Sequence, residues 1–149
     1  MAAMSVVQIL VVDDHPVVRR AICSLLSNDP ALNVVCEAVS GEQAVQKAEE
    51  LQPDLVLLDI SLPGISGIEA GRRIRKVSPK SQIIFVSQHD SLEMVKDALQ
   101  VGGHGYVAKI DAGHELLKAI HAVRDGKQFV SQRIPTQGWE MDPSEGAEA

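Results

Sequence analysis

Apolar residues in this chain fall into short blocks that alternate between two periods. Val7–Val12 is apolar except for Gln8 and runs into Asp13-Asp14. Val17, Val18, Ala21, Ile22, Leu25 and Leu26 then recur at helical spacing, after a Pro16 suited to a first helical turn. Asn28 and Pro30 stop that helix, and Leu32–Ala38 reads as a second strand. Ser40 and Gln43 have capping-box spacing ahead of a second helix with Ala44, Val45, Ala48 and Leu51 on its apolar face. Pro53 ends it. Leu55–Leu58 is then unbroken apolar sequence leading into Asp59, with turn residues at Pro63-Gly64. A run of this kind suits a strand buried on both faces, as in a parallel sheet.

The second half repeats the pattern. Ser66 and Glu69 form another capping box, and a third helix reaches about Val77, before Pro79. Residues 82–86 predict a fourth strand that ends at Ser87. The box from Asp90 to Glu93 opens a fourth helix, closed by Gly102-Gly103. Gly105–Ala108 is a short fifth strand ending at Lys109. Asp111 is placed to cap a fifth helix over about 113–125, and 129–134 extend it or pack beside it. Strands alternating with helices imply right-handed βαβ units around one parallel sheet.

Composition narrows the function classes. At 149 residues, 45% of them hydrophobic, the chain suits one domain with a real core. No apolar run approaches the roughly 18 residues of a membrane span, and the first residues lack a signal-peptide pattern. Cys23 and Cys36 give neither a disulfide framework nor a metal spacing, and read as buried small apolar residues. These features lead us to expect a cytoplasmic protein with no membrane contact. The net charge is −6, and Glu140, Asp142, Glu145 and Glu148 supply four of those charges in a stretch free of Lys and Arg. We therefore expect a folded domain over 6–130 and a flexible acidic tail or linker over 131–149. Direct nucleic-acid binding is not expected, because no basic surplus exists. The cluster Arg72, Arg73, Arg75 and Lys76 has no interleaved aromatics and reads as a solvated helix face. His89, His104, His114 and His121 show no metal spacing. His15 reads as a helix-start residue, and Trp139 stands alone in the tail.

The chemistry lies at the strand ends. Parallel strands put all their carboxyl ends on one edge, where open α/β sheets bind ligands. Asp13, Asp14, Asp59, Ser87 and Lys109 should therefore converge there. Three clustered carboxylates need a compensating cation, and hard oxygen ligands suit Mg²⁺, which keeps waters and meets phosphate oxygens. Lys109 and the Ser87 hydroxyl add donors for a phosphoryl group. Carboxylates can accept phosphate covalently, so these residues point to a Mg²⁺-dependent phosphoryl acceptor at Asp59.

At Val11-Val-Asp-Asp-His-Pro16, Leu57-Leu-Asp-Ile-Ser-Leu-Pro-Gly64, Phe85-Val-Ser87 and Gly105-Tyr-Val-Ala-Lys109, the chain resembles the receiver domain of bacterial two-component response regulators. The Asp-Asp-His-Pro start and residues 111–134 resemble the NarL/FixJ subfamily. The resemblance implies a flavodoxin-like (CheY-like) doubly wound α/β fold: five parallel strands in the order 2-1-3-4-5, flanked by five helices. It implies that Asp59 takes phosphate from a sensor histidine kinase, and that Ser87 and Lys109 contact the phosphoryl group. Mg²⁺ would be held by Asp13, Asp14, Asp59 and the main-chain carbonyl of Ser61. Ser87 and Tyr106 would form the switch, and phosphorylation would alter partner binding or homodimerisation. The chain would not be an enzyme acting on other substrates, but a phosphoacceptor promoting its own phosphorylation and slow autodephosphorylation. Transcription would be regulated through an output domain absent from this sequence. The alternative is a stand-alone receiver acting by protein–protein contact.

Two departures stand out: Lys109 is followed by Ile110 rather than proline, and Ser87 by Gln88 rather than a small residue. Rival chemistries fit less well. An aspartate-nucleophile phosphatase needs a second Asp two residues after the first as acid-base, and that position is Ser61. A flavin-binding flavodoxin needs small neutral donors after strand one, where this chain has Asp13-Asp14. A pseudo-receiver without phosphorylation is disfavoured by the intact set of Asp13, Asp59, Ser87 and Lys109.

Overall fold

The computed structural model describes residues 6–134. Of the stretch expected over 131–149 as a flexible tail, residues 131–134 instead pack on the domain, with Ser131 and Ile134 buried, and residues 135–149, with Trp139, lie outside the described residues. The strands are β1 (Val7–Val12), β2 (Leu32–Ala38), β3 (Leu55–Leu58), β4 (Gln82–Ser87), β5 (Gly105–Ala108) and β6 (Phe129–Val130). The helices are α1 (Pro16–Leu26), α2 (Gly41–Leu51), α3 (Gly67–Val77), α4 (Leu92–Gln100) and α5 (Ala112–Arg124), with a single 3₁₀ turn at Lys109–Asp111.

All strand pairings are parallel, and the order is β2-β1-β3-β4-β5-β6. This is the flavodoxin-like arrangement with five helices, but the sheet has six strands where the sequence predicts five. The sixth is Phe129–Val130, which lies beside β5 instead of extending α5. Two residues are too short to show a period, so only the pairing reveals them.

The sheet is covered on both faces, which explains its unbroken apolar strands. Leu10, Val12, Val56, Leu58, Ile83, Phe85 and Tyr106 face one core with Ala44 and Ala48 of α2, Ala70 and Ile74 of α3, and Val95 and Ala98 of α4. Their neighbours Ile9, Val11, Leu55, Leu57, Ile84, Val86 and Val107 face the other, against Ile22 and Leu26 of α1 and Leu116, Ala119, Ile120 and Val123 of α5. Neither cysteine is fully buried, so both are less enclosed than expected; they are half-buried and free. No described helix is long and apolar enough to cross a membrane.

Helix starts largely follow the sequence signals. Ser40 and Ser66 accept from the Gln43 and Glu69 N–H groups. The reciprocal arm of the first box reaches the Val39 N–H, at 2.7 Å. The Glu69 carboxylate turns instead to Arg72 and Arg73. Helix α4 is capped by Ser91, one residue later than Asp90. Asp111 occupies the cap position of α5 but makes no cap bond, because Arg133 takes its carboxylate.

Candidate functional site

Register builds the site. Val12 pairs with Leu58, so Asp13 and Asp59 leave adjacent strands side by side, and the Asp59 N–H donates to the Val12 carbonyl at 3.1 Å. Each residue is only 1% exposed. The crevice lies where the chain switches direction, with β2 on one side of β1 and β3 on the other. Lys109 leaves β5 and sets its Nζ 2.9 Å from Asp13 Oδ2 and 3.0 Å from Asp59 Oδ2. One ammonium therefore serves two buried carboxylates. Burial pushes the Asp59 carboxyl above its ordinary pKa; Lys109 opposes this, and Asp13 adds to it. Burial pulls the Lys109 ammonium down, but its pairing with Asp13 and Asp59 outweighs this and holds it above its usual value.

Asp14 and His15 complete the acidic side. The His15 N–H caps Asp13 Oδ1 at 2.8 Å. The His15 ring Nδ1 lies 3.3 Å from Asp13 Oδ1 and 3.2 Å from Asp14 Oδ1. Ligand atoms of Asp13, Asp14, His15 and Asp59 all lie within 4.8 Å of one another. Asp13 Oδ2 and Asp14 Oδ1 are buried without a hydrogen-bond donor. For Asp13 Oδ2 the Lys109 contact is close in distance but lacks hydrogen-bond geometry, so we read it as an ion pair only. Buried acceptor-only oxygens without donors are costly, and a hard cation is the ligand that relieves them. The residues fit an acidic pocket for a divalent metal.

The remaining predicted residues border this pocket. Ser61 follows Asp59 closely enough for its N–H to approach Asp59 Oδ1 at 3.4 Å, and its hydroxyl meets His89 Nε2 at 2.8 Å. Ser87 is fully buried and pairs in register with Ala108. Its oxygen accepts the His89 N–H at 3.1 Å. Tyr106 is also fully buried, and its hydroxyl donates to the His89 carbonyl at 2.7 Å. Burial raises the Tyr106 phenol further from ionisation, so it remains a donor. His89 thus joins Ser61, Ser87 and Tyr106 across the mouth of the site.

Comparison with known proteins gives the family. The response regulator receiver domain matches residues 9–121. This chain is a response regulator receiver. It is 40% identical over 129 residues to the transcriptional activator protein ExaE of Pseudomonas putida, covering 87% of this chain and 60% of that protein. It is 39% identical over 126 residues to the nitrate/nitrite response regulator NarL of Escherichia coli K12, covering 85% of this chain and 58% of NarL. A LuxR-family two-component response regulator of known structure, from Aurantimonas sp. SI85-9A1, superposes with a TM-score of 0.82 at 33% identity, over 95% of this chain and 99% of that one. The chain therefore spans about three-fifths of the length of these curated relatives.

Supporting residues of the receiver escaped the sequence reading. Arg19 of α1 donates to the Asp13 carbonyl at 2.8 Å while its Nε holds Glu37 on β2. Gly67 begins α3 against the backbone of Asp59: a Cβ there would lie 1.9 Å from the Asp59 carbonyl oxygen. The box around Ser66 signals the helix start but says nothing of this close approach. Ser131 donates to Glu115 and accepts from Ala108, next to Lys109. Those partners are far apart in sequence and follow no local pattern.

Proposed function

We propose that this receiver is a Mg²⁺-dependent phosphoacceptor whose acceptor is Asp59 and whose donor is a sensor histidine kinase, acting in the cytoplasm. The observation that carries the reading is the buried Asp59 carboxylate held at 3.0 Å by Lys109 beside donor-free oxygens of Asp13 and Asp14. An Asp59 carboxylate oxygen attacks phosphorus. A P–O bond forms, and the P–N bond of the phosphohistidine breaks, leaving a neutral imidazole after proton uptake. With acetyl phosphate the bond broken is P–O and acetate leaves. Asp13, Asp14, Asp59 and the Ser61 carbonyl would hold the metal, which when bound offsets charge on the carboxylates and phosphoryl oxygens. Lys109 keeps its positive charge and orients the phosphoryl group, and the Ser87 hydroxyl turns from His89 to meet it.

Downstream, the phosphoryl group on Asp59 carries about −1.5 to −2 charge, in place of the single negative charge of the carboxylate. We read Ser87, His89 and Tyr106 as the switch that carries this change to a partner surface or a dimer contact. Tyr106 is already enclosed before any phosphorylation. The proposed step is therefore a change of its partner at His89. By likeness to relatives named as a transcriptional activator and a response regulator, the output we propose is transcription control through a further domain. The test is intact mass after acetyl phosphate and Mg²⁺. Wild type should gain one phosphate and Asp59→Asn none. Equal uptake by both would remove Asp59 as acceptor.

A further inference from the structure

The end of β5 is anchored by residues outside the acidic pocket. Strand β6 pairs with β5 only through Gly105↔Phe129 and Tyr106↔Val130. Just beyond it, the Ser131 N–H still reaches the Tyr106 carbonyl at 2.9 Å. The Ala108 N–H, further along that edge, donates to the Ser131 hydroxyl at 2.8 Å instead of to a strand carbonyl. That hydroxyl in turn donates to Glu115 Oε1. Glu115 Oε2 accepts the Gln132 N–H at 3.2 Å. Ser131 is 1% exposed, so the chain N–H···O–H···O⁻ is shielded and ends on a charge. Such bonds are stronger than neutral ones and polarise one another.

The next residue is Lys109. Its long flexible stem places the ammonium reliably only if its backbone is fixed. Arg133 grips the other end of the same turn, with Nε 2.6 Å from Asp111 Oδ2 and Nη2 3.2 Å from Oδ1. Lys109 thus lies between two anchors, both supplied from the segment after β6. We infer that Ser131 and Glu115 are positioning residues for Lys109: by fixing the Ala108 amide they hold the ammonium on Asp59. The inference rests on Asp59 as phosphoacceptor. A merely structural role would hold 131–134 in place without touching the reaction.

The test pairs Ser131→Ala with Ser131→Thr, which keeps a hydroxyl. It also pairs Glu115→Ala with Glu115→Gln, which keeps an acceptor for it. Two quantities are read on folded protein: the ¹³C shift of the Asp59 carboxyl carbon without phosphodonor, and the rate of phosphorylation by acetyl phosphate with Mg²⁺. Both alanine variants should move the carboxyl shift and slow phosphorylation about ten-fold, the scale of a small misplacement of a catalytic group. The Thr and Gln variants should recover most of both. Because Glu115 is only half-buried, its variants keep the test open should Ser131→Ala fold poorly. Alanine variants with the wild-type carboxyl shift and the wild-type rate would overturn the inference. If wild type itself takes up no phosphate, the acceptor reading falls alone, and the Asp59 carboxyl shift still decides the positioning.

Discussion

At the scale of single residues, the site is a balance of charge. Lys109 pairs its single charge with two carboxylates that are almost wholly buried. Removing one member of a buried ion pair leaves an uncompensated charge and typically costs about 3–5 kcal/mol. Lys109→Ala should therefore destabilise the metal-free protein by roughly 3 kcal/mol. The loss should shrink when Asp59→Asn is added, because one of the stranded charges is then gone. Denaturant melts of the single and double variants measure this; a double variant less stable than Lys109→Ala would show that Lys109 contributes by packing instead. Much of this balance was legible in the sequence. Asp13, Asp14, Asp59 and Lys109 each end an apolar run, and parallel strands bring such ends together. The direction of the Ser87 hydroxyl was not legible, because it depends on the His89 N–H, a loop group whose placement no period encodes.

At the scale of elements, two glycines make opposite demands. Gly67 is the point where α3 touches the strand end that carries Asp59, and a Cβ there would meet the Asp59 carbonyl, Ile60 Cα and Asp59 carbonyl carbon within 2.7 Å. These are backbone atoms of a packed layer and cannot yield cheaply. Gly67→Ala should cost about 3 kcal/mol, at the upper end of overpacking effects, and should impair phosphorylation as Asp59 is displaced. Gly113 in α5 has no positive φ, and a Cβ there would meet nothing within 4 Å. Gly113→Ala should stabilise by about 0.5 kcal/mol by narrowing the unfolded ensemble and leave phosphorylation unchanged. Thermal melts with acetyl phosphate labelling check both, and a harmless Gly67→Ala would refute the contact. Element boundaries show the same division. Local signals found the caps at Ser40 and Ser66. They missed the diversion of Asp111 to Arg133, because that ion pair joins positions 22 apart.

His104 gives the loop before β5 a pH dependence. Its Nδ1 accepts the Ile83 N–H at 3.1 Å, and its backbone N–H donates to the Ile83 carbonyl at 2.7 Å. Burial, then the nearby Arg75 charge, holds the imidazole pKa below its ordinary value. As pH falls below the unfolded value of about 6.5, the unfolded chain takes up the proton first. Stability from neutral His104 is therefore complete above that value and is lost as pH falls through the lower folded one. His104→Asn keeps an acceptor but does not titrate. The stability of wild type relative to this variant should decline between about pH 7.5 and about pH 5, a window that brackets the unfolded value. A constant difference across that range would remove His104 from the pH response.

At the scale of the whole molecule, the fold concentrates negative charge at one edge and leaves its relief to a ligand. The sheet order explains why: β1 and β3 are neighbours at the switch point, so their acidic ends cannot separate without breaking the core on both faces. Lys109 offsets part of the repulsion, while Asp13 Oδ2 and Asp14 Oδ1 remain without hydrogen-bond donors. A cation that binds only this folded arrangement stabilises it by mass action. At about ten times its dissociation constant the gain is about 1.4 kcal/mol, or a melting-temperature rise of roughly 3–6 °C for a domain of this size. Millimolar Mg²⁺ should produce such a rise beyond that of NaCl at equal ionic strength. Asp14→Ala should melt higher than wild type without metal, since one repelling carboxylate is gone, and respond less to Mg²⁺. These opposite signs separate metal binding from general salt effects. If wild type and Asp14→Ala rise equally with Mg²⁺, the acidic pocket is not where the ion acts.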